Sequence, residues 1–271
     1  MTTISNDQST PVNVALEVES LKKSFGGVAA VDGVSFSVEK GTITGLIGPN
    51  GAGKSTMVNL ISGALKPDSG HIRLDGHGIG GLEPHQIGAR GLIRTFQISR
   101  EYPDMTVMEN LIVSAANQGE KLINVCFRPS VGKKRDRELV ERALYTLVTF
   151  GLYPLRNEYA RNLSGGQKRL LELSRAVMAD PKVLLLDEPM AGVNPALIEK
   201  LGEHIVGLNK ELGTTFVLVE HNLEIVEKIC SKVIVVALGT TLAVGTMAEL
   251  RKNQAVVDAY LGGDVSERVG S

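Results

Sequence analysis

The stretch Gly48-Pro-Asn-Gly-Ala-Gly-Lys-Ser-Thr56 constrains this chain more than any other. It follows a short apolar run, Ile43-Thr-Gly-Leu-Ile47, and precedes a helical pattern from Lys54 to Ser62. A strand, a glycine-rich turn and a helix in that order form a phosphate-binding loop. Glycines let the backbone curl until successive N–H groups face one point. The helix N-terminus adds partial positive charge there. The backbone of Asn50, Gly51, Ala52 and Gly53 thereby cradles phosphates. Lys54 is placed for the β- and γ-phosphates, Ser55 for Mg²⁺, and Thr56 for a further phosphate contact.

A loop of this kind needs a sheet whose strand ends converge. Residues 183–189, Val-Leu-Leu-Leu-Asp-Glu-Pro, read as a buried strand ending in two acids. Helix follows Ser164. After the acids come helix 195–211, strand 215–219, helix 222–230 and strand 232–237. This alternation predicts a mainly parallel sheet with helices on its faces. Ligands of such sheets sit outside the carboxyl ends of the strands, so Asp187 and the glycine loop share an edge. Asp187 then suits a metal ion held through water. Glu188, on the opposite side of the strand from Asp187, suits a base that polarises the attacking water.

The rest of the chain frames this centre. Residues 1–13 are polar and read as a disordered tail. Residues 14–38 show strand-like runs with turns at Gly26-Gly27 and Asp32-Gly33. Residues 70–94 read as short strands with a small helix, and 98–162 as mostly helical. Val233–Ala248 is uncharged but interrupted by Gly239 and Gly245, so it is not a membrane span. A net charge of −1 with both signs interspersed argues against a nucleic-acid surface. The run Lys133-Lys-Arg-Asp-Arg137 reads as a solvated helix start. Two cysteines, Cys126 and Cys230, form no disulfide framework and read as inert packing residues of a reducing compartment. His71, His77, His85 and His204 fit no motif and read as surface or structural.

A third element, Leu163-Ser-Gly-Gly-Gln167, precedes the acids and opens a helix. Together the motifs resemble those of ABC-type ATPases, over nearly the whole chain after the tail. The resemblance implies a P-loop NTPase fold of the α/β class, RecA-like and mainly parallel. It adds an antiparallel β subdomain and a helical signature-motif subdomain. The ATPase domain then spans 14–262, with the helical part at about 98–164 and a flexible tail at 263–271. By the same resemblance Phe25 stacks on adenine and Val31 completes its pocket. Gln97 senses the γ-phosphate and Mg²⁺, and His221 contacts the γ-phosphate. Ser164, Gly165, Gly166 and Gln167 meet ATP on another subunit's loop. Ser164 is also a good helix cap, and the two glycines expose backbone N–H groups. Two subunits, identical or paralogous, then pair head to tail, each holding half of two sites, with ATP and Mg²⁺ as ligands.

Within this family the chain is most similar to the ATPases of branched-chain or hydrophobic amino acid importers. The carrying residues are Arg94-Thr-Phe-Gln97, the long segment to Ser164, Ala191-Gly-Val-Asn-Pro195, and Ala259-Tyr-Leu-Gly262. Such subunits sit on the cytoplasmic face of the inner membrane. They bind transmembrane permeases there and, through them, work with a substrate-binding protein. Two departures stand out. Asn194 replaces the usual aspartate, which bears on a charged contact across the dimer. Gly165 stands where the subgroup often has a bulkier residue. The rival readings are a lipid or lipopolysaccharide exporter ATPase, a soluble non-transport ABC ATPase, and a non-hydrolysing binding module. The intact Lys54, Asp187, Glu188 and His221 argue against the last.

Overall fold

A computed structural model describes residues 13–95, 101–116 and 129–266. The chain opens with two long antiparallel strands, β1 (Val14–Phe25) and β2 (Val28–Glu39). Gly26 and Gly27, both at positive φ, turn one into the other. Asp32-Gly33, expected as a turn, is instead an irregularity inside β2. The register shifts there between Leu21↔Val34 and Lys22↔Asp32, and Gly33 has φ 80°. A left-handed glycine bends a strand at a bulge without ending it. β3 (Ile43–Ile47) leads into the glycine loop and α1 (Lys54–Ile61). Then come β4 (Ser69–Leu74), β5 (His77–Gly78), α2 (Pro84–Ala89) and β6 (Leu92–Arg94).

The middle is helical, with α3 (Val107–Ala116), α4 (Pro129–Thr149) and α5 (Gly165–Met178). α5 packs on both α3 and α4, so the helical unit runs past the signature to Met178. β7 (Val183–Asp187), α6 (Pro195–Leu212), β8 (Thr215–Val219), α7 (Leu223–Ile229) and β9 (Lys232–Ala237) follow, close to the predicted bounds. β10 (Thr240–Gly245), α8 (Met247–Leu250) and α9 (Gln254–Ser266) close the described chain. α9 continues past 262, where the sequence reading began a tail. β10 was also unforeseen. Leu238 and Gly239 both have positive φ, a two-residue hairpin turn usually written Asn-Gly. Leucine in that position hides the signal.

Two sheets result. One is antiparallel, in the order β2-β1-β4-β5. The other runs β10-β9-β3-β8-β7-β6 and is parallel except at β10. Thr241 Oγ1 joins them, donating to Ser35 O at 2.9 Å and accepting from Ser35 N at 3.2 Å. β3, β7 and β8 are buried at every position. Alternate side chains enter different cores. Leu184, Leu186, Phe216 and Leu218 face the helical side. Val183, Leu185, Val217 and Val219 face α1 and the antiparallel sheet. Each such burial stabilises the fold by about 1.5–3 kcal/mol. A sheet covered on both faces is rigid, and β3, β7 and β8 all deliver their carboxyl ends to one edge.

Candidate nucleotide site

The glycine loop occupies that edge. Gly51 and Gly53 have φ of 76° and 93°, a region costly for other residues. A Cβ on Gly48 would overlap Val236 O, and one on Gly53 would overlap Ala30 O. Gly48 therefore lets the loop lie against β9, and Gly53 lets it lie against β2. α1 begins at Gly53 with no side-chain cap, so its first N–H groups are left for another acceptor. Lys54 is 6% exposed and donates to Gly48 O at 2.7 Å and Pro49 O at 2.9 Å. Burial pushes its ammonium below the ordinary value, and the charge of Glu188 partly offsets this.

Asp187 ends β7 and is also 6% exposed. A buried carboxylate requires a partner, and Arg94 supplies it. Arg94 Nη2 donates to Asp187 Oδ2 at 2.8 Å, while Nη1 reaches Asn59 Oδ1 at 2.7 Å and Ser62 Oγ at 3.1 Å. One guanidinium thus ties β7 to α1 from β6. Strand alternation does not govern Glu188, because β7 stops at Asp187. Glu188 has φ 48°, and its N–H donates to Val219 O at 2.9 Å. Its Oε1 lies 2.9 Å from His221 Nε2, where a ring N–H donates to the carboxylate. A non-glycine residue held left-handed carries a strain of about 1–3 kcal/mol.

The signature forms a second helix start. Ser164 Oγ accepts from Gln167 N at 3.3 Å, and Gln167 Oε1 accepts from Ser164 N at 2.8 Å. This capping box uses the Gln167 side chain within its own turn. Beside it an open hollow of about 480 Å³ is lined by Gly165, Leu170, Asn194, Leu197 and Lys200, among others. A Cβ on Gly165 would meet nothing, whereas one on Gly166 would overlap Leu197. The departure at Gly165 therefore removes bulk from an open surface. Asn194 caps α6, its Oδ1 accepting from Leu197 N at 3.0 Å. Asparagine and aspartate serve that local task equally well.

The remaining expectations divide. Phe25, at the end of β1, is 47% exposed and free to receive a flat ring, with Lys23 Nζ 5.7 Å above it. Val31, expected beside the adenine, is buried at the foot of the loop. It is 1% exposed and packs beneath Gly53, supporting the loop from behind. Gln97 and Cys126 lie outside the described residues. Burial pushes the Cys230 thiol up to about 12, which suits an inert role. His204 is structural, its ring 4.9 Å from that of Phe150.

Two further residues belong to the site. A charge closing an apolar strand, as Arg94 does, must have a partner. Glu220 directly follows β8 and is 4% exposed. Burial pushes its carboxyl up, backbone N–H bonds pull it down, and Glu188 adds to the upward push.

Comparison with known proteins fits this geometry. A family model described as "ABC transporter" matches residues 31–191, and one described as "Branched-chain amino acid ATP-binding cassette transporter" matches residues 240–266. The chain is 42% identical to a probable branched-chain amino acid transport ATP-binding protein, LivG, of Archaeoglobus fulgidus, covering 93% of this chain and 97% of that one. It is 40% identical to the high-affinity branched-chain amino acid transport ATP-binding protein BraF of Pseudomonas aeruginosa, covering 91% and 97%. Among solved structures, the ADP conformation of the ATP-binding cassette MJ1267 superposes with a TM-score of 0.79. It is 38% identical, with 92% of this chain and 99% of that chain covered.

Proposed function

Since this chain belongs to the ABC transporter family as an ATP-binding, ATP-hydrolysing subunit, we propose that it powers the import of branched-chain or other hydrophobic amino acids. The names of its relatives support that substrate class.

One observation carries the chemistry: Glu188 and His221 meet at 2.9 Å on the edge that holds Lys54. Glu188 acts as the base toward water, worth about 10²–10⁴ in rate. His221 fixes the direction of that carboxylate and contacts the γ-phosphate. Lys54 and the loop N–H groups hold the phosphates, and Phe25 takes the adenine. The oxygen donors Ser55 and Asp187, with Gln97, suit Mg²⁺, an ion that keeps few protein ligands and shares phosphate. Among the described residues, no group of three or more His, Cys, Asp or Glu could hold a metal. That ion would supply charge neutralisation at the phosphates.

The uncapped start of α1 and the outward-facing signature on α5 favour a head-to-tail pair, with a second copy or a paralogue as partner. Among the described residues no helix is long and apolar enough to cross a membrane. In this reading, attachment to the cytoplasmic membrane face runs through permease subunits, as the names of the relatives suggest. The loop around Tyr102, Pro103 and Met105 is the proposed socket. Lys168 pairs with Glu101 at 2.7 Å, and the Arg175 guanidinium lies 4.8 Å from the Tyr102 ring, so the socket is tied to the signature helix. Asn110 braces it, donating to Tyr102 O at 3.0 Å and accepting from Tyr102 N at 2.9 Å.

Reconstitution with candidate permeases, a second ATPase and a binding protein tests the assignment. Leucine uptake and leucine-stimulated ATP hydrolysis are expected. Stimulation by a lipid instead, or turnover indifferent to the permeases, would overturn it.

A further inference from the structure

Glu220 has no part in the scheme above, yet it stands between the two loops that scheme depends on. Its Oε1 accepts from Met190 N at 2.8 Å, in the loop that begins with Glu188. Its Oε2 accepts from His221 N at 3.1 Å, in the loop after β8. The backbone of Asn222 also bonds to it. Glu188 N–H donates to Val219 O, one residue before Glu220. The two loops are therefore joined three ways: by that backbone bond, by the Glu220 carboxylate, and by the Glu188–His221 contact.

Only a carboxylate presents two acceptor oxygens, one to each loop. An amide of the same shape accepts on one side and turns an N–H against an N–H on the other. A neutral, apolar group would leave backbone donors of both loops buried and unpaired. The side chain is thus matched to loop separation. That separation sets where the Glu188 carboxylate meets the His221 ring.

We propose that Glu220 is a positioning residue for hydrolysis: its carboxylate fixes the backbones of Met190 and His221, and through them aligns the Glu188–His221 pair. The inference rests on the reading of Glu188 and His221 as the hydrolytic pair. It does not involve the phosphate-binding loop, which predicts a split between turnover and binding.

The test uses the full chain carrying Glu220→Gln, with ATPase kinetics and binding of a fluorescent ATP analogue in Mg²⁺-free buffer. Losing one charge-assisted bond predicts a kcat lower by about 10- to 150-fold. Nucleotide affinity should stay within about twofold. In a His221→Ala background the same substitution should change kcat far less, because the pair it aligns is already broken. Glu220→Asp keeps the charge but shortens the reach, and should lower kcat with binding intact. An unchanged kcat in folded Glu220→Gln or Glu220→Asp overturns the proposal. So does an equal loss in both backgrounds, or parallel loss of turnover and affinity. Failure of both variants to fold would make Glu220 a determinant of the fold and overturn it likewise. If Glu188→Gln hydrolyses normally, the hydrolytic reading itself fails. If Glu188→Gln is inactive and Glu220→Gln is not, only this inference fails.

Discussion

The glycine loop and the signature both present a helix N-terminus, and the chain finishes them differently. At α1 no side chain caps the helix, and the lysine that follows is buried against the loop's own carbonyls. At α5 Ser164 and Gln167 satisfy each other's backbone N–H, and the surface beside them is open. The first end keeps its donors for a ligand within a rigid, deeply set edge. The second has already used two of its donors, leaving the N–H groups of Gly165 and Gly166. In the proposed head-to-tail pair it would act as an addition to a phosphate already held by the first.

The largest test of this contrast removes the first site. Lys54→Ala deletes a charge-assisted contact worth about 1.5–3 kcal/mol. ATP affinity should fall about 10- to 150-fold, and turnover should vanish. Equilibrium binding and phosphate release measure both. Wild-type behaviour would show that the edge does not hold the phosphates.

Next comes Glu188→Gln, which keeps the shape but cannot accept a proton. Turnover should drop by about 10²–10⁴ while ATP still binds. The second site should then hold a closed pair together, seen as an ATP-dependent dimer by size-exclusion chromatography. A monomer at every ATP concentration would break the proposed division of labour between the two helix ends.

A smaller effect separates neighbouring glycines in the signature. Helix propensity alone favours alanine over glycine at either position. Gly165→Ala meets open space and should leave the melting temperature unchanged or slightly raised. Gly166→Ala brings a methyl against the end of the Leu197 side chain, which must turn into the open hollow, so it should be less stable than Gly165→Ala. Thermal unfolding of both variants decides, and equal shifts would refute the packing account.

The smallest effect concerns His204, on the helix that Asn194 caps. Burial holds its imidazole below the ordinary value of 6.5. The unfolded chain therefore takes up the proton first as pH falls. Stability contributed by the neutral ring is present above about pH 6.5 and declines below it. Acidification should lower the melting temperature of the wild type more than that of His204→Gln. Parallel curves would remove His204 as a source of acid sensitivity.

What could be read in advance follows from how local each signal is. The glycine loop, the apolar strand 183–187 and the cap at Ser164 are written in contiguous residues. Backbone conformation and hydrogen bonding of near neighbours suffice to define them. The Asp32-Gly33 bulge and the Leu238-Gly239 turn are not written locally, because Gly33 bends a strand that its partner continues, and leucine holds a place that asparagine usually takes.

The sequence by itself determined the order of strands and helices from β7 to β9, the phosphate loop and the acids that face it, since each depends on spacing along one stretch of chain. Only the tertiary structure decided how those acids are held. Arg94 reaches Asp187 from another strand, Glu220 joins loops that belong to different strands, and Val31 lies beneath the loop. Such partners come from across the sheet. A buried charge in a sequence announces that it needs a partner, but the pairing of strands chooses which residue answers.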